Sequence, residues 1–477
     1  MASLDTDYLI VGAGATGLAF ADTLLADSDA HITLVDRRDQ PGGHWNGAYP
    51  FVRLHQPSAF YGVNSLPLGT GRKDTSGHNA GLYELASGTE VMAYFQQVMS
   101  QRLLASGRVR FLNLTEFMGF ESGTATTRAG LNGAQHHITV RQKLVDARHF
   151  SPNIPATHPP QFKVGAGVRW VTPTGLASAA LASRASPEAA HAARYCILGA
   201  GKTAMDVGVW LLESGVAPDS IHWVVPRDSW LINRRTTQPG MAFFEDAIGG
   251  QVKAMQAMAE ATNVDDLFER LEAAGQMLRI DRNTRPTMFH YATMSEGEVA
   301  LLRRIQQVIR LGRVTAIEPE LLVLQQGRVA MHPDTLYIHC TASAVRPRAS
   351  EPIFQPGKVV PQLVRAPLVT FSAAVCAHVE ATYPDDASKN HLCTPVPFPK
   401  GLAGYVRSTQ VSMLNQVRWN QDKALRSWMR DSRLDGFGQL TASVPPTDTD
   451  KLALLAALRE QAAAAMANAP KLLEPTP

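Results

Sequence analysis

Asp7-Tyr8-Leu9-Ile10-Val11-Gly12-Ala13-Gly14-Ala15-Thr16-Gly17-Leu18 is an apolar run of strand length feeding into Gly-x-Gly-x-x-Gly, and Leu18 to Leu25 continues at helical spacing. Each glycine has its own task. Gly12 lets the strand turn tightly, Gly14 lets the backbone approach a pyrophosphate, and Gly17 lets the helix pack close to the strand. The helix start, at Ala15, Thr16 and Gly17, then offers N–H groups and a partial positive charge to phosphates. His31-Ile32-Thr33-Leu34-Val35 reads as the next strand. Asp36 stands at its end, about nineteen residues past Gly17, where an acid takes the ribose hydroxyls of an adenosine, with Arg37 beside it. Residues 5–36 read as a dinucleotide-binding unit.

A second unit of the same kind lies further on. Ala193-Arg194-Tyr195-Cys196-Ile197-Leu198 is strand-like and leads into Gly199-Ala200-Gly201-Lys202-Thr203-Ala204. Ala204 replaces the third glycine, which the turn tolerates because only a small residue is needed there. Val207 to Gly215 continues as helix, and Ile221-His222-Trp223-Val224-Val225 is the following strand. Pro226-Arg227 comes next, with no acid before Asp228. An acid would repel a 2′-phosphate and an arginine would pair with it, so Arg227, with Lys202, points to NADPH over NADH. Gly199, Gly201, Lys202, Thr203 and Arg227 are the candidate contacts.

The 477 residues predict two or three domains with a sizeable core, and 45% of them are hydrophobic. A net charge of +3, spread along the chain, gives no support to nucleic-acid binding. No stretch is long and apolar enough for a membrane span or a secretory leader, which leads to the expectation of a cytoplasmic protein. Cys196, Cys340, Cys376 and Cys393 are far apart, so neither a metal site nor a redox dithiol is expected.

Between the two units the chain carries Gly42-Gly43-His44-Trp45 and then Tyr49-Pro50-Phe51-Val52-Arg53-Leu54-His55-Gln56-Pro57-Ser58-Ala59-Phe60-Tyr61. The first segment resembles the Gly-Gly-x-Trp of flavin-containing and Baeyer–Villiger monooxygenases, the class B flavoprotein monooxygenases. The second is similar to a Baeyer–Villiger segment, Tyr-Pro-Gly-Ala-Arg-Cys-Asp-x-x-Ser-x-x-Tyr. Tyr49, Pro50, Arg53, Ser58 and Tyr61 keep type and spacing, whereas Phe51 stands for Gly and His55 for Asp. Against the flavin-containing group, Gln56 falls where an Asn stands beside the flavin. Arg227-Asp228-Ser229-Trp230 resembles that family's Arg-x-Pro-x-Trp turn, one residue shorter. The family's Phe-x-Gly-x-x-x-His has no full counterpart, since Phe162 to Trp170 lacks the His.

The resemblance implies an α/β fold with two Rossmann-like domains, one for FAD and one for NADPH, plus a helical insertion. The expected division is 1–155 for the first part of the FAD domain and 165–330 for the NADPH domain, with an insertion at about 241–312. Residues 331–477 are expected to complete the FAD domain, with C-terminal helices that pack within the chain or in a homodimer. A proline-rich linker, Ser151 to Pro160, separates the halves. Gly81–Gly107 reads as mostly helix, Gly123–Gly133 as a loop, Leu336–Ala342 as a buried strand returning to the FAD domain, and Tyr405–Met429 as one long helix.

The implied activity is insertion of one oxygen atom from dioxygen into a small organic substrate, through a flavin peroxide formed after NADPH reduces FAD. The alternative is an NAD(P)H-dependent flavoprotein reductase or oxidase without oxygen insertion. Gly12, Gly14, Ala15, Thr16, Gly17, Asp36, Arg37, Gly43, His44 and Trp45 are the expected FAD contacts. Arg53, His55, Gln56 and Asn64 are the candidate catalytic residues: Gln56 as an amide donor over the flavin, His55 as a group titrating near neutrality, and Arg53 facing the nicotinamide.

Overall fold

The computed structural model describes residues 4–474 except 131, 151, 153, 156–157, 179–193 and 342–347. Of the residues named above, Ser151, Asn153, Ala156 and Thr157 of the linker, Ala193 and Ala342 lie outside the described residues. The first sheet is built around Leu4–Val11, which pairs in parallel with Ile32–Val35 on one side and Gln135–Asp146 on the other. Val109–Leu112 and Lys358–Val359 extend it in parallel at either flank. Val11 lies opposite both Val35 and Asp146, so the central strands end level and open one crevice at their carboxyl ends.

The strand sequence explains the layers. Tyr8, Ile10, Ile32 and Leu34 pack against the helices Ala15–Asp27 and Val369–Thr382. Leu9, Val11 and Val35 point the other way, onto Ala125, Ile138 and Leu144. Both faces are covered, which is why the strand reads as a continuous apolar run. Each fully buried Leu, Ile or Val contributes about 1.5–3 kcal/mol. The covering layer includes Thr124–Ala129, an antiparallel strand inside the stretch read as a loop. Its threonines are β-branched and suit a strand, and Ala125 and Thr127 turn inward.

The second sheet runs Gln307–Ile309, Ile221–Val224, Arg194–Leu198, Thr335–His339, Trp170–Val171, all parallel. The helix Lys202–Glu213 packs on it through Ala204, Met205, Val207 and Leu211. Thr335–His339, buried along its whole length, sits in this sheet beside Arg194–Leu198 rather than in the FAD half, so the second unit extends beyond residue 330. A small mixed sheet pairs Val314–Glu318 with Leu321–Leu324 and then Gly327–Ala330 in antiparallel, and with Lys163–Val164 in parallel.

The insertion is helical in Gly250–Glu260, Val264–Ala273 and Glu296–Leu302, the last begun by a capping box of Ser295 and Glu298. Between the second and third of these, Met277–Leu278 and Met288–Met294 pair with Ser229–Asn233 as a three-stranded sheet. The stretch Gly81–Gly107 is mostly helical as read, from Gly88 through tighter and wider turns to Ser106, whereas the long helix read over Tyr405–Met429 is broken in two by a cap. Ser87 starts Gly88–Gln97 with a capping box to Glu90, and Asp422 accepts from the Leu425 N–H between Leu402–Gln421 and Lys423–Asp431. The last helix, Thr449–Leu472, lies on Gly250–Glu260, with Ala465, Ala469 and Leu472 in one cluster with Ala257, Met258 and Phe268. All four cysteines are free and buried. No helix among the described residues is long and apolar enough to cross a membrane.

Candidate functional site

The first glycine turn is shaped by close approach. Gly12 holds φ +105°, and a Cβ on Gly17 would stand 1.9 Å from the Gly12 carbonyl oxygen, so only glycine lets this helix sit so near the strand end. Gly43 has φ +58° and its Cβ would meet Gly14 Cα at 2.9 Å. The backbone of Gly42–Gly43 thus passes directly over the glycine turn, and the Gly42 N–H donates to the Ala13 carbonyl at 2.8 Å. The helix beginning at Ala15 has no side-chain cap, which leaves its first N–H groups for an anion. Asp36, nearly buried, accepts from the Ala13 N–H at 2.8 Å and the Arg38 N–H at 2.9 Å, and so braces the turn as well as standing at the ribose position. Arg37 is exposed.

His44 and Trp45 diverge. Trp45 is buried and donates its indole N–H to the Tyr61 hydroxyl at 2.8 Å, tying together the two aromatic ends of the resembling segments. His44 lies deep in the protein yet keeps part of its surface open, with no hydrogen bond from its ring among the described residues. Burial, with Arg38 adding to it, drives its pKa down to about 4.

His55 has the same character: deep, partly open, its ring unpartnered among the described residues. Burial first, then the charges of Lys202 and Arg234, push it well below the ordinary histidine range. His55 is therefore neutral at pH 7, which corrects the expectation of a group titrating near neutrality. Gln56 is half-buried with no side-chain partner among the described residues. Arg53 is exposed and donates to the Leu85 carbonyl at 3.0 Å, and Asn64 accepts from the Ser432 hydroxyl at 2.9 Å. Both are thus engaged in holding the chain, apart from the His55–Gln56 pair.

The second glycine turn faces the same place. Gly199 holds φ +119°, with its missing Cβ 3.1 Å from the Cys340 carbonyl, and the helix from Lys202 again lacks a side-chain cap. Lys202 pairs with Asp206 one turn along its own helix, and the Tyr49 hydroxyl donates to the other Asp206 oxygen at 2.6 Å. Burial and then Asp206 raise the Tyr49 phenol, and Thr203 is also within hydrogen-bond reach of it. Phe51, where the resembled segment has Gly, stacks on Trp210 with ring centres 5.0 Å apart. This departure is a packing contact between the halves. At the far end of the next strand Arg227 is exposed, and the acid after it, Asp228, is occupied by both nitrogens of Arg310 at 2.8 and 3.0 Å.

The sequence reading missed Arg234, Glu298 and Asp206. Arg234, 1% exposed, follows the strand Ser229–Asn233. It donates to the His55 carbonyl at 2.9 Å, Asn79 Oδ1 at 3.2 Å and the Thr293 carbonyl at 3.4 Å, and pairs with Glu298 at 2.7 Å. The available signal was the adjacent pair Arg234-Arg235 ending an apolar strand. Among the described residues no group of three or more His, Cys, Asp or Glu is placed to hold a metal ion.

Both turns fit a bound dinucleotide: each has a glycine cradle that a side chain would fill and an uncapped helix start. Two such parallel-sheet units, joined where Tyr49 reaches Asp206, define a protein with two dinucleotide-binding domains. A family model for an NAD(P)-binding Rossmann-like domain matches residues 10–60. Uncharacterised proteins of Mycobacterium tuberculosis and Mycobacterium bovis are 44% identical over 444 residues, spanning 93% of this chain and 79% of theirs. The chain belongs to their family. The polycyclic ketone monooxygenase of the fungus Thermothelomyces thermophila superimposes with a TM-score of 0.51 at 13% identity, over 99% of this chain and 85% of that one. The shared feature is the fold, that of the class B flavoprotein monooxygenases at strongly diverged sequence.

Proposed function

We propose that this chain is an FAD- and NADPH-dependent monooxygenase acting on a small organic substrate with dioxygen. The observation that carries the reading is the meeting of the two nucleotide turns: the Tyr49 hydroxyl of the first half donates to Asp206 of the second at 2.6 Å, and His55 lies within electrostatic reach of Lys202. FAD would be held by Gly12, Gly14, Ala15, Thr16, Gly17, Gly43 and His44, and NADPH by Gly199, Gly201, Lys202, Thr203 and Arg227. When bound, the flavin supplies the redox chemistry, taking hydride from NADPH and passing electrons to dioxygen.

The chain supplies the surroundings. Gln56 offers an amide to the reacting centre, and the neutral His55 ring offers one N–H donor and one acceptor without adding charge. Tyr49 and Phe51 on the helix Lys202–Glu213 close the space between the halves and exclude water. Arg227 has no acid competing for a 2′-phosphate, since Asp228 is taken by Arg310. An NADPH supply and four reduced cysteines fit a cytoplasmic setting.

The reductase or oxidase reading is favoured by one feature, the neutral His55 where the resembled segment carries an acid. Oxygen uptake and NADPH oxidation measured together, with and without a panel of ketones, sulfides and amines, separate the two. Transfer of label from 18O2 into a product supports the monooxygenase; stoichiometric hydrogen peroxide with every compound rejects it.

A further inference from the structure

Between residues 49 and 56 the first half is gripped by the second at three points. Tyr49 reaches Asp206, Phe51 stacks on Trp210, and the His55 carbonyl accepts from Arg234. The first two lie on the nucleotide-binding helix. The third is different in kind, because it is a charge brought inside the protein to hold one peptide group. A buried guanidinium is costly unless its donors are satisfied, and a packed apolar side chain would fill this volume more cheaply. The planar fork has a geometric use here: Nε takes the His55 carbonyl while the other nitrogens take Asn79, Thr293 and Glu298. Holding the backbone rather than the ring leaves the imidazole nitrogens without a hydrogen-bond partner among the described residues.

We propose that Arg234 is a positioning residue of the proposed oxidation: by donating to the His55 carbonyl it fixes the His55–Gln56 corner from the second half. The inference rests on the functional reading above. Its geometry also links the corner to the nucleotide site. Glu298, the partner of Arg234, sits on the helix Glu296–Leu302, whose Leu302 packs against Gly208 of the nucleotide-binding helix. Burial opposes the Glu298 carboxylate, yet Arg234 and Lys202 outweigh it and hold its pKa below the usual range. The charges acting on the His55 ring come from the same two elements, Lys202 at the start of the helix Lys202–Glu213 and Arg234 after the strand Ser229–Asn233. A nucleotide phosphate that drew on Lys202 would therefore be felt at the Arg234–Glu298 pair and at the corner it holds.

The test uses the full chain with Arg234→Met and Arg234→Lys. Ring-proton spectra of the cofactor-free protein, with the His55 signal assigned through His55→Gln, follow its titration. NADPH oxidation of the FAD-loaded protein follows KM and kcat. In the parent, His55 stays neutral well below pH 6.5. Arg234→Met lowers kcat about tenfold or more, with KM for NADPH little changed, because a displaced corner costs turnover before it costs binding. Burial and Lys202 still hold the His55 titration down in that variant, so its ring stays neutral at pH 7. Arg234→Lys keeps the charge without the fork, so kcat recovers only in part. An unchanged kcat in Arg234→Met, or KM and kcat worsening in proportion in the lysine variant, overturns the inference. If Arg234→Met does not fold, the lysine variant's KM–kcat split decides. A parent that produces only peroxide removes the monooxygenase reading, and kcat for NADPH oxidation in the two variants then tests the role of Arg234 independently of it.

Discussion

The two glycine turns solve one problem at different distances. In the first, the helix is so close that Gly17 has no room for a methyl group. In the second, Ala204 occupies the equivalent position and is fully buried, so that turn holds a methyl group where the first has none. They differ again where the neighbouring strand ends. Asp36 is turned inward and braces the first turn through the Ala13 N–H. Arg227 stands outward at the second, with its neighbouring acid neutralised. The backbone motif is thus common to both, while the residue at the strand end differs: a buried acid at the first turn and an exposed arginine at the second. The difference also shows how a glycine motif should be read: the first and second glycines report the turn, and the third reports helix-to-strand distance.

Gly17→Ala breaks the comparison most severely. Its Cβ would overlap a carbonyl oxygen, and we expect a loss of about 3 kcal/mol or more together with flavin content, checked by denaturant titration and the absorbance of the purified protein. Asp36→Ala removes the acceptor of a buried N–H and costs about 1–3 kcal/mol, read as weaker FAD affinity with NADPH affinity unchanged. Arg227→Ala acts on the other turn only: KM for NADPH rises about tenfold, and KM for NADH stays where it was. Ala204→Gly is the mild counterpart of Gly17→Ala. It costs about 1 kcal/mol of helix stability and leaves both cofactors bound.

The smallest effect is a pH dependence. His44 and His55 are neutral in the folded protein, with pKa values below the ordinary 6.5 of an unfolded chain. The unfolded state then binds more protons in this window, so stability rises with pH up to about 6.5 and falls below it, for His44 down to about 4. Thermal melts between pH 7.5 and 4.5 should show this decline, and the double variant His44→Gln, His55→Gln should flatten it.

Much of this is legible in the sequence because it is local. Strand, glycine turn and helix follow one another within 5–36 and within 194–224, and backbone sterics dictate their order. Trp45 and Tyr61 stand out by type, and they hydrogen-bond to each other. What is not legible depends on contacts distant in sequence. The strand Thr335–His339 belongs to the second sheet because its partners are Arg194–Leu198 and Trp170–Val171, which no local pattern reveals. Thr124–Ala129 is short and polar, and becomes a strand by pairing on both sides. Arg234 meets His55 across 179 positions, and the ring's neutrality follows from burial that composition does not record. Arg53, a candidate through its match to the resembled segment, and Asn64 make contacts the sequence does not show, to the Leu85 carbonyl and the Ser432 hydroxyl.

The central claim is that electrons entering at the second turn are used for oxygen transfer at the first. Rapid-mixing absorbance tests it most directly: reduce the FAD-loaded protein anaerobically with NADPH, mix with oxygenated buffer, and follow the flavin bands. The account predicts a spectral species distinct from both reduced and oxidised flavin that persists before the oxidised spectrum returns, and that decays faster when a substrate is present. A direct return to oxidised flavin, with peroxide released in equal amount, would contradict it.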